Sequence, residues 1–304
     1  MQHITDSMVD ALVSPADAQQ ALREAFGQFG AGAAAMQERV RTEAGGIKLS
    51  TLGAVIPGQG VAGAKVYTTI AGRFSFVILL LSTEDGQPLA SFDAGAITRL
   101  RTAACSVIAA QHLARPDARC MALYGAGTQG RAHAVQMSKA FALERIQVCT
   151  QTPAPELAAQ LSEACGVPAR VCRAQEALEG ADIVVTASRA TTPLFAGERL
   201  PAGCFVAAIG SSLPHTRELD DAALARAAVV AVEWRAQALR EAGDLVLAGE
   251  GVLAPEKIVE LADLVTGKVP GRRAADDIAI YKSVGVGLED IALAGLAWRR
   301  LAQR

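Results

Sequence analysis

Six consecutive residues, Gly125-Ala126-Gly127-Thr128-Gln129-Gly130, carry the spacing GxGxxG. Alone this is only a glycine-rich turn, but here the apolar run Cys120–Tyr124 precedes it and helical periodicity follows. In that context Gly125 permits a tight turn, Gly127 lets the backbone approach a pyrophosphate, and the helix N-terminus directs unpaired N–H groups at the anion. The chemistry indicated is dinucleotide binding by Gly125, Gly127, Thr128 and Gln129. An Asp or Glu at the end of the following strand would hold the ribose 2′-OH of NAD, but Val148-Cys149-Thr150-Gln151-Thr152 stands there. With no carboxylate to repel a 2′-phosphate, and with donors on Thr150, Gln151 and Thr152, the expected cofactor is NADPH. NADH stays open because no arginine is present there to clamp the phosphate.

Two cations lie where helix electrostatics disfavours them. Arg99 and Arg101 fall in the first turns of a helix expected to begin at Asp93, and sharing an anion with the helix N-terminus would explain them. Arg99 also fits a simple solvent-facing role. Lys65 alternates with Tyr67 and Thr69 against Ala64, Val66 and Ile70, the pattern of a lysine on the solvent face of a strand. Arg41, in Glu38-Arg39-Val40-Arg41, has no physical mark of its own. HExxH, GxSxG and GxxxxGK[ST] are absent, and His3, His112, His133 and His215 are scattered; His133 reads as a structural or surface residue.

The elements that must position these groups follow from the rest of the chain. It has 304 residues, 51% hydrophobic and 20% charged, enough for about two domains with cores of their own. The formal charge is −2, from 29 Lys+Arg and 31 Asp+Glu without a basic block, which argues against nucleic acid as a partner. The longest apolar run, Phe76–Leu81, is too short to span a bilayer, and the first residues lack a signal-peptide pattern, so a cytoplasmic protein is expected. Cys105, Cys120, Cys149, Cys165, Cys172 and Cys204 show no CxxC spacing and read as reduced thiols; no metal site is expected.

Residues 14–29 read as a capped amphipathic helix, and 47–52, 64–70 and 76–81 as strands between Gly/Pro-rich turns. A helix capped by Asp93 then runs to Arg115-Pro116, where a domain boundary is placed. Beyond it, strands at 120–124, 146–150, 169–172, 183–186, 204–209 and 229–232 alternate with helices at 128–143, 155–165, 175–178 and 221–227. This is the signature of a helix-covered parallel sheet, an α/β Rossmann-type unit, beside a mixed α+β unit; the tail 278–300 ends in an amphipathic helix.

The run Asp93-Ala94-Gly95-Ala96-Ile97-Thr98-Arg99-Leu100-Arg101-Thr102-Ala103-Ala104 and the glycine turn together resemble the ornithine cyclodeaminase/mu-crystallin family. Ile209-Gly210-Ser211-Ser212-Leu213-Pro214-His215-Thr216-Arg217-Glu218-Leu219-Asp220 and Tyr281-Lys282-Ser283-Val284-Gly285 extend the resemblance over nearly the whole chain. It implies a homodimer, with 1–115 and 285–304 forming a substrate and dimerisation domain and 116–284 a dinucleotide-binding domain. It also implies that Arg41 and Arg101 hold a substrate carboxylate, that Lys65 works beside the reacting carbon and nitrogen, and that Arg101, Thr186, Gly210 and Ser283 contact the cofactor. Ornithine cyclodeaminases carry acids where Ser212 and Leu52 stand, so the resemblance favours the cyclic ketimine reductase branch. The expected reaction is reduction of a small cyclic α-imino acid, Δ1-pyrroline-2-carboxylate or Δ1-piperideine-2-carboxylate, by NAD(P)H. Alternatives are ornithine cyclodeamination, an alanine dehydrogenase-type reaction, and a mu-crystallin-like protein that binds NADPH and a ligand without turnover.

Overall fold

The computed structural model describes residues 1–152 and 154–303. The chain forms two compact units, Met1–Cys105 with Gly285–Arg304, and Ser106–Val284. They divide within a helix, ahead of the Arg115-Pro116 stop that marks the boundary in the sequence.

The first unit opens with β1 (Gln2–Ile4), α1 (Asp6–Leu12) and α2 (Pro15–Gly30). α2 starts as its sequence dictates: the Asp17 N–H donates to Ser14 Oγ, the Ser14 N–H donates to Asp17 Oδ2, and Pro15 sits in the first turn. β2 (Ala35–Met36), β3 (Val40–Ala44), β4 (Ile47–Ile56), β5 (Val61–Ile70), β6 (Arg73–Ser82) and β7 (Pro88–Asp93) follow, and α3 (Gly95–Leu113) leaves the sheet. Sheet order is β1-β7-β6-β5-β4-β2, with β3 also on β4; all pairs are antiparallel except β1 with β7. β1, β2, β3 and β7 escape the sequence reading because they are short or lack a clean apolar alternation. Asp93 does not cap α3. It ends β7, and the carboxylate at the helix start is that of Asp6, whose Oδ1 accepts from the Ala96 N–H at 2.7 Å.

The sheet also reverses the usual reading of alternation. Ile47, Leu49 and Val55 of β4 and Val77 and Leu79 of β6 are exposed, whereas Ser50, Leu52, Lys65 and Ile78 are buried. Lys65 is therefore a core lysine and not a solvent-face one.

The second unit contains β8 (Cys120–Tyr124), α4 (Thr128–Ala140), β9 (Arg145–Cys149), α5 (Leu157–Cys165), β10 (Ala169–Val171), α6 (Ala174–Ala177), β11 (Ile183–Thr186) and β12 (Phe205–Ala208). It continues with α7 (Asp221–Arg226), β13 (Ala227–Val232), α8 (Arg235–Glu241), α9 (Gly243–Val246), β14 (Ile258–Glu260), α10 (Leu261–Val265) and β15 (Ile278–Lys282). The strands form a wholly parallel sheet in the order β10-β9-β8-β11-β12-β15-β13-β14. Strand order reverses direction between β8 and β11, the switch point outside which ligands of such sheets bind. α4 stops at Ala140 and not Leu143, and α5 begins at Leu157 and not Pro155.

α11 (Gly287–Ala302) belongs to the first unit, where it lies against α2, β4 and β5. A Cβ on Gly287 would stand 2.4 Å from Gly53 O, so the helix start meets the sheet backbone to backbone. Among the described residues, no helix is long and apolar enough to cross a membrane, and no cluster of His, Cys, Asp or Glu could hold a metal ion.

Candidate active site

In the second unit the glycine turn joins β8 to α4. Gly125 has φ 96°, and a Cβ there would stand 2.5 Å from Ala187 O. A Cβ on Gly130 would meet Gly125 O at 1.9 Å, which fixes the packing of helix on turn. Gly127 is the N-cap of α4; it offers no side-chain cap, and the space where its Cβ would stand is open. The first-turn N–H groups of a thirteen-residue helix therefore face an uncrowded surface with Thr128 exposed beside them. That arrangement fits a dinucleotide pyrophosphate. Thr150, Gln151 and Thr152 follow β9 in an open loop, with Gln151 and Thr152 exposed.

Thr186, Gly210 and Ser283 lie at the carboxyl ends of three neighbouring strands, β11, β12 and β15. Buried acids tie them down. Glu218 Oε2 accepts from Thr186 Oγ1 at 2.8 Å and from the Gly210 N–H at 2.7 Å, while its Oε1 accepts from the Ser188 N–H at 2.8 Å and Ser188 Oγ at 2.6 Å. Ser283 Oγ donates to Glu233 Oε1 at 2.5 Å. Lys282, fully buried, pairs with Asp244 Oδ2 at 2.7 Å and donates to Ser211 O at 2.6 Å. Asp244 Oδ1 also takes the N–H groups of Glu218 and Leu219. The strand ends are thus held from within, and Thr186, fully buried, shapes them by its bond to Glu218. His133 is likewise structural, buried between Ser106 Oγ and Gln129 O.

The second cluster lies within the first unit. Lys65 of β5 is 2% exposed; its Nζ donates to Thr98 Oγ1 at 2.5 Å and to Asp290 Oδ1 at 3.1 Å, and stands 4.6 Å from the centre of the Phe76 ring. Burial lowers its pKa to about 8; Asp290 opposes that shift, and the Arg101 and Arg39 charges add to it. Arg101 of α3 gives Nη1 to Glu289 Oε2 at 2.6 Å, with its Nε 3.4 Å from Asp290 Oδ1. Arg39 donates to Gly285 O at 2.8 Å. Strand register sets Arg41, Ser50, Tyr67 and Phe76 side by side in one row, and Leu52, Lys65 and Ile78 in a parallel row on the same face.

The structure therefore gathers Lys65 and Arg101 about one buried acid and places Arg41 on the same sheet as Lys65. Arg99 and Arg101 do not share an anion: Arg99 pairs with Asp10, whereas Arg101 turns to Glu289 and Asp290. Sequence reasoning missed Glu289, Asp290, Thr98, Glu218, Glu233 and Asp244. The one signal for the first two was a pair of acids in the apolar run Gly287–Gly295 without a cation beside them.

The model of the ornithine cyclodeaminase/mu-crystallin family matches residues 1–303. Delta(1)-pyrroline-2-carboxylate reductase of Bacillus cereus is 34% identical over 267 residues, 86% of this chain and 79% of that one. The crystal structure of a probable ornithine cyclodeaminase from Bordetella pertussis Tohama I superposes with a TM-score of 0.98 at 63% identity, covering 100% of this chain and 98% of that one. Thermococcus litoralis Delta(1)-pyrroline-2-carboxylate reductase, solved with NADH and L-proline, gives a TM-score of 0.94 at 27% identity with coverage of 100% and 98%.

Proposed function

Because the chain belongs to the ornithine cyclodeaminase/mu-crystallin family, we propose that it is an NAD(P)H-dependent reductase of small cyclic α-imino acids, forming L-proline from Δ1-pyrroline-2-carboxylate or L-pipecolate from Δ1-piperideine-2-carboxylate. The observation that carries this reading is the buried Lys65 ammonium, poised between an acid and arginines with its pKa lowered to about 8. Such a group gives up a proton near neutral pH far more readily than an ordinary lysine. Leu52 stands directly across from Lys65 in the β4–β5 register, so that position supplies no acid for a second amino group. This favours the reductase over ornithine cyclodeamination.

In the reaction, Arg41 and Arg101 hold the carboxylate, with Arg101 immobilised by Glu289 and Asp290. Lys65 donates a proton to the ring nitrogen. The hydride for the adjacent carbon would come from a nicotinamide dinucleotide, whose pyrophosphate Gly125, Gly127 and Thr128 would hold. The N–H formed comes from the Lys65 ammonium and the C–H from the hydride, so the ring amine carries both new hydrogens. The test is oxidation of NADPH or NADH followed at 340 nm with each cyclic imine, beside parallel reactions with ornithine plus NAD and with pyruvate plus ammonia. Oxidation with the imines alone is expected; proline formed from ornithine, with the imines inert, would overturn the reading.

Two finer points belong to the same reading. The loop Thr150–Thr152 carries hydroxyl and amide donors and no carboxylate, which supports NADPH over NADH. The exposed apolar face of Ile47, Leu49, Val55, Val77 and Leu79 supports a homodimer, since a second copy of the same sheet is the partner a closed two-fold assembly provides.

A further inference from the structure

We propose that Asp290 is a positioning residue for Lys65, keeping the ammonium charged and aimed so that one N–H remains for the substrate nitrogen; this rests on Lys65 being the proton donor. An ammonium has three hydrogens to place. One goes to Thr98 Oγ1, whose own hydrogen goes to Ala94 O at 2.5 Å, leaving the threonine oxygen as an acceptor. A second goes to Asp290 Oδ1. The third has no protein acceptor among the described residues. Two fixed acceptors on different helices, α3 and α11, thus set the direction of the third N–H.

The acids divide their work. Glu289 takes the Arg101 Nη1 hydrogen, whereas Asp290, fully buried in the first turn of α11, places Oδ1 against both Lys65 and Arg101 Nε. Its Oδ2 is buried with no hydrogen-bond partner among the described residues. A half-satisfied buried carboxylate is a costly arrangement for structure alone. Around Lys65 stand Arg101 of α3, Arg39 ahead of β3, the Phe76 ring of β6 and Asp290 of α11; Glu289 is bonded to Arg101, and Arg41 lies two strands away on the same sheet face. Burial and the arginines both drive the proton off, and Asp290 is the acid that bonds the ammonium and opposes them.

The test is Asp290→Asn, which keeps an oxygen acceptor of the same size and removes the charge. The rate requires protonated Lys65, so it falls as pH rises through the lysine pKa; in the variant this fall should move at least about one pH unit lower. Dinucleotide affinity, read by fluorescence of the bound reduced nicotinamide, should not change. A pH limb at its wild-type position, with the rate reduced equally at all pH values, would overturn the proposal. Should Asp290→Asn not fold, Thr98→Val and Thr98→Ser read the same aim: Val should lower kcat at least about tenfold and Ser restore it, whereas equal rates would overturn it. Lys65→Met run in parallel separates the two failures. Turnover retained there removes the proton-donor reading itself; turnover lost there, with a wild-type limb in Asp290→Asn, removes only the present inference.

Discussion

At the scale of single residues, the proposed chemistry rests on a few charged groups, above all a lysine whose burial disfavours its charge. With Lys65 as the acid, kcat should be flat at low pH and fall as pH rises through about 8, the value to which burial lowers its pKa. Lys65→Met should lower kcat by about 10²–10⁴-fold below about pH 8, by less above it as the wild-type lysine itself loses its proton, and leave dinucleotide affinity intact, as checked by steady-state kinetics and a binding titration. If Arg41 holds the substrate carboxylate as proposed, Arg41→Met should raise KM about ten- to a hundredfold with a smaller change in kcat. Lys65 shows where sequence legibility ends at this scale. Its alternation with Tyr67 and Thr69 was visible, but whether that row faces water or a helix is set by α11, which packs against β5 from the far end of the chain.

At the scale of elements, the parallel unit was legible from β8 to β13 because each element there carries its own signal, whereas α8, α9, β14, α10 and β15, which are short or follow long irregular connections, were not. β8 is an uninterrupted apolar run and β11 an apolar run ending in Thr186, both buried along their length, and the glycine turn between β8 and α4 needs no distant partner to be recognised. Adding one methyl group there should be costly. Gly130→Ala places Cβ against Gly125 O, so the turn must shift, with a loss of about 1–3 kcal/mol by denaturant melt and of the pyrophosphate site by titration. The start of α3 was misread for the opposite reason. Asp93 is an acceptable cap by sequence, yet the N–H of Ala96 is satisfied by Asp6, beyond the reach of any local window. Asp6→Ala should therefore destabilise by about 1 kcal/mol in the same melt, as loss of a helix cap does.

At the scale of the whole molecule, the apolar face of the first unit formed by Ile47, Leu49, Val55, Val77 and Leu79 is left exposed by its own folding. If a second copy covers it, Leu49→Lys combined with Leu79→Lys should halve the mass seen by light scattering, while the parallel sheet of the second unit remains intact by circular dichroism. The sequence by itself determined the α/β class, the alternation of strand and helix from β8 to β13, the glycine turn and the family, because apolar periodicity and turn chemistry are local. It also presented Lys65, Arg41 and Arg101 as residues matching a family pattern. Only the tertiary structure decided which sheet face is buried, which acid caps α3, and that Glu289 and Asp290 stand against Arg101 and Lys65. Those outcomes depend on pairing segments far apart in the chain: burial makes each buried charge need a partner, and packing alone determines which partner arrives.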